Sequence, residues 1–370
     1  MNIVGAKRFF RSVVLSALLV TPTFAATVSL IWEPDCTGLG GTWGSPPANS
    51  PALGSCLLPA GYTIAAGDRL EVAARVDLAI SGQMINEGNL SLLNDSIMRI
   101  PPQTNFLNRG TVILANKATM QLNKGSLSNE GIVRSEGTIE NGLPSLSLVQ
   151  WGIFNSGHIQ IFDGGELINN GFYFDRDARL TPNLESLLVD LGGVFINKGG
   201  SRFNPNLALI HGHLANQAGS EMKLRRRLTV SGRGRLEHAG YLIMWSEEGV
   251  LTVDEGGRLD ATPGSYITNF GATLNVNGSL TVTSGTLRNE SPWSTYGGGT
   301  ITTGGSGRVH ATSRAVLVND TGARIVNNGS VLIDCFVTLV DKGIVTGNAI
   351  GRSLCFQPPY KPPPRFDLRF

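Results

Sequence analysis

Short runs in which apolar and polar residues alternate make up most of this chain. Thr111-Val-Ile-Leu-Ala115 and Ala272-Thr-Leu-Asn-Val276 are typical, and a period of two marks a β-strand with one buried face. Beside these runs recurs a punctuation of the form apolar-x-Asn-x-Gly. It reads Met84-Ile-Asn-Glu-Gly88, Phe106-Leu-Asn-Arg-Gly110, Leu127-Ser-Asn-Glu-Gly131 and Ile153-Phe-Asn-Ser-Gly157. Leu167-Ile-Asn-Asn-Gly171, Phe195-Ile-Asn-Lys-Gly199, Ile267-Thr-Asn-Phe-Gly271 and Ile325-Val-Asn-Asn-Gly329 continue it. Degenerate copies stand at Leu214–Gly219, Leu236–Gly240 and Leu287–Glu290. With His238 standing in for one Asn, the steps are 22, 21, 26, 14, 28, 19, 22, 31 and 20 residues. A last step of 38 makes two turns of 19.

Repetition near 20 residues, built from strands, predicts stacked coils. The outlying steps read as inserted or shortened loops. Asn and Gly tolerate the left-handed backbone of a sharp corner. Asn side chains at equivalent corners can hydrogen-bond up the stack, as ladders do in other stacked sheets. Helices fit poorly, because i, i+3, i+4, i+7 spacing is scarce and Gly too frequent. The leucine-rich spacing is not kept, and a propeller, the best rival, needs blades of about 40 residues. The expected layout is a signal peptide over 1–25, an N-terminal cap over 26–61 and a repeat body over 62–350. Residues 351–370 hold the end of a C-terminal cap and a Pro-rich tail, in which Gln357 to Pro364 should be extended. At about 4.8 Å per strand, 13 to 15 coils make a rod of about 60–70 Å.

Lys7, Arg8 and Arg11, the apolar run Val13 to Val20 and the small residues before Ala25 read as an export signal, the alternative being an uncleaved anchor. No later run is long enough to span a bilayer. Cys36, Cys56, Cys335 and Cys355 allow three connectivities, which sequence alone does not resolve. Local pairing, Cys36–Cys56 and Cys335–Cys355, is preferred, since the ends of an elongated fold lie too far apart to bridge. A zinc site competes weakly, with no C-x-x-C pair and no nearby His. The 30 basic and 28 acidic residues nearly cancel, which argues against a nucleic-acid partner.

The export signal together with coils of the Ile-x-Asn-x-Gly-x-Leu-x-Val kind resembles secreted bacterial β-helix proteins. These include filamentous-haemagglutinin-like adhesins and autotransporter passengers, within the pectin-lyase-like architecture. The resemblance covers about residues 62–350. It implies an all-β, single-stranded right-handed parallel β-helix, here with disulfide-bonded terminal caps. It implies a surface-interaction role with a glycan or cell-surface ligand, and a secretion transporter as a partner. The residues after Ile350 are Pro-rich, so a membrane barrel is not expected there, a departure from the autotransporter pattern.

The same architecture carries polysaccharide lyases, which use acidic Ca²⁺ ligands and a basic residue. The matching candidates are Asp163, Asp175, Asp177 and Arg176, within an acidic stretch that also holds Glu166, Glu185 and Asp190. Asp175 and Asp177 would share one strand face; solvated charge on a coil is the plainer reading. His211 and His213 form a candidate metal half-site, with Asp175 and Asp177 as the other weak candidates. Lys223, Arg225, Arg226, Arg227, Arg233 and Arg235 concentrate positive charge for an anionic ligand, or serve as a solvated corner. No G-x-S-x-G, H-E-x-x-H or P-loop motif is present. The expectation is a non-enzymatic, exported, adhesin-like solenoid without a cofactor. The alternatives are a lyase or glycosidase, with Ca²⁺ only in the lyase case, and a structural envelope or matrix protein.

Overall fold

The computed structural model describes residues 26–48, 50–141, 152–155, 158–161, 166–169, 172–175, 186–245, 248–291 and 298–353. Beyond the N-terminal cap, each strand pairs in parallel with the third strand before and after it. Three sheets result, here named A, B and C, with 14, 15 and 13 strands among the described residues. The chain is a parallel solenoid, as the alternation and period predict, and of right-handed type, as the resemblance implies. Thirteen strands in sheet C at about 4.8 Å each make a rod of about 60 Å.

The coils stack in register. Leu90, Val112, Val133, Ile159 and Leu187 form one continuous interior column of sheet A, and all five are fully buried. Most strands are four residues long, with the second and fourth residues inside and the first and third outside. Each buried Val, Leu or Ile stabilises by roughly 1.5–3 kcal/mol, and only neighbouring coils supply the cover. Midway along the rod Tyr173, Phe195 and Phe203 pack together inside, with ring centroids 4.4 to 5.8 Å apart.

The Asn ladder exists, but it changes corner twice. Asn86, Asn108, Asn129 and Asn155 end strands of sheet C, each amide nitrogen donating to the next Asn oxygen at 2.7 to 2.8 Å. Asn141, Asn169, Asn197 and Asn216 end strands of sheet B and are linked at 2.6 to 2.8 Å. His238 takes the next place in that column. The ladder then returns to sheet C as Asn269, Asn289, Asn319 and Asp341, at 2.8 to 3.0 Å. The 14-residue and 31-residue steps are therefore moves between corners, not a shortened and a lengthened loop. The 38-residue step is likewise no double turn. Asn319 follows Asn289, whereas Asn327 ends a strand of sheet A and accepts from Thr303 Oγ1 at 2.7 Å.

The glycine of the motif also has a different role from the one expected. Gly110 and Gly131 do not adopt positive φ, and neither do the ladder asparagines. A Cβ on Gly110 would lie 2.0 Å from the Gly88 carbonyl oxygen, and one on Gly131 2.1 Å from that of Gly110. At Gly110 and Gly131 the residue is Gly because consecutive coils touch backbone to backbone, whereas Gly271 has the left-handed backbone expected, with φ 72°. Most other left-handed residues fall in the remaining turns, at Asp95, Lys117, Gly192 and Gly256 among others.

At the N-terminal end, strand Thr27–Leu30 opens sheet A, helix Glu33–Gly38 covers the end, and Thr42–Gly44 pairs antiparallel with Gly54–Leu58. The Cys36–Cys56 disulfide ties helix to strand, with Cα atoms 5.7 Å apart. Pro47, Ala48, Ser50 and Pro51 lie beside the outward side chains Arg99, Thr119 and Gln121 of sheet B. Beneath them, Asp77 is fully buried and accepts from Arg99 Nε at 2.7 Å. Cys355, the expected partner of Cys335, lies outside the described residues, as do the signal segment and the Pro-rich tail.

Candidate functional site

The basic run Lys223 to Arg227 crosses a corner. Strand Glu221–Leu224 belongs to sheet C, and Arg227–Val230 is the next strand of sheet A. Leu224 turns inward, Lys223 faces out from sheet C, Arg225 and Arg226 stand exposed at the corner, and Arg227 faces out from sheet A. Arg233 is exposed in the following turn, and Arg235 opens a strand of sheet B. There Arg235 is committed to Glu237 at 2.7 Å and Asp260 at 3.0 Å. The six cations expected to act together thus follow the chain around three faces, and only Lys223, Arg225 and Arg226 share one surface.

Those three line a groove of about 770 Å³ on the outside of sheet C. Its apolar wall comes from the next two coils. Ile243 and Trp245 project from strand Tyr241–Trp245, and Phe270 from strand Tyr266–Phe270. The strands pair with Trp245 opposite Phe270, and the rings meet edge to face at 5.3 Å. Trp245 remains 56% exposed. A large indole left half in water, beside polar groups, is the surface signature of a contact site.

The charges of the groove are not equivalent. Lys223 Nζ is 2.7 Å from Glu221, and Arg226 Nε is 3.7 Å from Glu248. Arg225 has no carboxylate partner among the described residues. Its guanidinium sits 4.7 Å from the centroid of the Phe174 ring, an arrangement that orients a cation without neutralising it. The groove therefore combines a planar cation that has no carboxylate partner among the described residues with an exposed aromatic wall, which suits binding of an anion that carries an apolar face.

The other predicted residues are dispersed. Asp163, Arg176 and Asp177 lie outside the described residues. Asp175 ends strand Phe172–Asp175, its side chain likewise outside the description. His211 lies in a turn, and His213 opens a sheet B strand with Nε2 3.4 Å from Glu237. Among the described residues no three His, Cys, Asp or Glu side chains gather as a metal site. The groove aromatics were not singled out by sequence reasoning. The signal available was their register: Tyr241, Ile243 and Trp245 repeat as Tyr266, Thr268 and Phe270 one coil later.

Among the described residues no helix is long and apolar enough to cross a membrane. No family model and no curated protein matches the chain. Among solved structures, the chain is similar to the crystal structure of a TibC-catalysed hyper-glycosylated TibA fragment. The identity is 14%, the match covers 88% of this chain and 97% of that chain, and the TM-score is 0.26. The solenoid is established by the strand registers rather than by so loose a likeness.

Proposed function

We propose that this chain is an exported, adhesin-like solenoid that binds a glycan on its outer surface without cleaving it, in the groove on sheet C. The observation that carries this reading is the groove itself, where Arg225 and an exposed Trp245 face the same space. Sugars present an apolar ring face and polar edges, which an aromatic wall with nearby donors complements. A rigid rod presents such a site at a fixed height above whatever anchors it, which fits contact between surfaces. Export rests on the basic and apolar pattern of residues 1–25, and a secretion transporter is the partner this route needs.

The test is a glycan-array screen of the mature chain followed by calorimetry on the hits. Parallel incubations with and without Ca²⁺ are followed for product formation. Binding that Trp245→Ala weakens, with the sugar recovered intact, supports the proposal. Cleavage of the bound glycan would overturn it in favour of a lyase or glycosidase, for which Asp163, Asp175, Asp177 and Arg176 are the residues to substitute. Absence of any glycan binding would also overturn it.

A further inference from the structure

The outer surface of sheet C continues past the groove. Strand Tyr241–Trp245 points Tyr241, Ile243 and Trp245 outward, and strand Tyr266–Phe270 points Tyr266, Thr268 and Phe270 outward. Alternate residues of a strand are about 6.7 Å apart, so the two ends of this surface are separated by about 13 Å. At the far end Tyr241 and Tyr266 stack with centroids 5.4 Å apart and planes 12° apart. They are 50% and 44% exposed.

The surface is bounded on both sides along the rod. One coil below, Glu221 is held by Lys223 at 2.7 Å and by Arg202 at 3.5 Å. One coil above, Arg288 and Glu290 close on each other as an ion pair. The aromatic area is thus two coils deep and one strand long, with its long direction across the rod. Its charge is uneven as well. The Tyr end faces a carboxylate already neutralised, whereas the Trp end faces Arg225, whose guanidinium lies over the Phe174 ring. A planar guanidinium offers a two-pronged donor that matches a carboxylate.

We infer that the ligand is a carboxylated oligosaccharide laid along the strands, its acid group on Arg225, one ring against Trp245, and a later, uncharged contact on Tyr241 and Tyr266. This deepens the glycan reading above and depends on it. A single sugar fills only the Trp end; a chain of several is needed to reach the Tyr pair.

Calorimetry on the mature chain tests it with uronic-acid oligosaccharides: tetramers and monomers of mannuronate, galacturonate and glucuronate, each tetramer beside its neutral hexose counterpart. One tetramer should bind at least roughly ten-fold more tightly than its neutral form, the scale of a charge-assisted hydrogen bond. Arg225→Gln should abolish that preference, and Arg225→Lys should lose most of it because the fork is gone. Tyr241→Ala combined with Tyr266→Ala should weaken the tetramer roughly ten-fold and leave the monomer unchanged. Circular dichroism and thermal midpoints confirm that these exposed changes leave the coils intact. Equal affinity for acidic and neutral tetramers, or indifference to Arg225→Gln, overturns the inference while a Trp245-dependent neutral glycan still supports the groove. Equal losses for tetramer and monomer in the double Tyr variant overturn the lie along the strands. No binding to any of these sugars overturns the inference as well, and the array then decides the fate of the broader reading.

Discussion

Replacing His238 by Asn should flatten part of the acid sensitivity of this rod. The imidazole is fully buried in the interior column of sheet B. Its Nδ1 lies 3.1 Å from the amide nitrogen of Asn216, and its Nε2 lies 3.0 Å from the Tyr266 carbonyl oxygen. An amide nitrogen only donates, so Nδ1 accepts, and Nε2 carries the proton and donates to the carbonyl. Protonating Nδ1 would bring two donors face to face in a desolvated site. Burial pushes the group from its ordinary value of 6.5 down to about 4, and the hydrogen bond to Tyr266 offsets only part of this. Between those values the unfolded chain binds a proton that the folded chain does not, so stability falls as pH falls from 6.5 towards 4. The contribution is whole above pH 6.5 and flat below 4, and its full size is about 3 kcal/mol. Asn at this position extends the ladder and does not titrate. Guanidinium denaturation of both proteins at pH 4, 5, 6 and 7.5 gives the wild-type-minus-variant difference, which cancels every other titrating group. That difference should change by about 3 kcal/mol across the window. A difference that stays level with pH would show that the histidine is charged, or solvated, in the folded rod.

Four further perturbations probe the stack. Asn108→Ala removes three hydrogen bonds, from Asn86, to Asn129 and to the Ile132 carbonyl, and at roughly 1 kcal/mol each should cost about 3 kcal/mol, read as faster hydrogen exchange in the adjacent coils. Gly110→Ala forces a methyl against the Gly88 carbonyl and should destabilise by about 3 kcal/mol. Gly305→Ala, where a Cβ meets nothing within 4 Å, should leave the thermal midpoint nearly unchanged. Removing the Cys36–Cys56 link by changing both residues to Ala opens a loop spanning 20 residues. It should cost about 3 kcal/mol, with limited proteolysis starting in the cap rather than in the coils.

The parallel stack was legible because its cause is local and repeated: each coil must alternate to bury one face, and each ladder corner needs an amide. What the spacing did not disclose was which corner. A three-sided coil has equivalent bends, so Asn155 and Asn169 look like successive members of one column when they stand in two. Asn141, which heads the second column, also escaped the pattern, because Leu143 stands where the motif wants Gly. The groove was half legible for a related reason. Basic residues adjacent in sequence were expected to act together, but a run of five crosses from one face to the next. Trp245 and Phe270, 25 residues apart, become neighbours only once the register is known.

The position of the groove follows from the movement of the ladder. While the ladder occupies the end of sheet C, from Asn86 to Asn155 and again from Asn269, the bend is an Asn-led turn held backbone to backbone. Between them the ladder runs at the end of sheet B, and in the two coils after Asn204 the sheet C bend is filled by Leu224 and Met244, both fully buried. An apolar residue at that place imposes no hydrogen-bond geometry on what comes next. Arg225 and Arg226 then turn outward, and Trp245 continues its strand by one residue before a longer connection leads to Val250. The interior needs only one amide column per coil to keep its register, and where that column moves away the vacated bend is free to vary. Arg225 and Trp245 project from bends that the column has vacated, and Phe270 completes the wall beside Asn269, where the column returns.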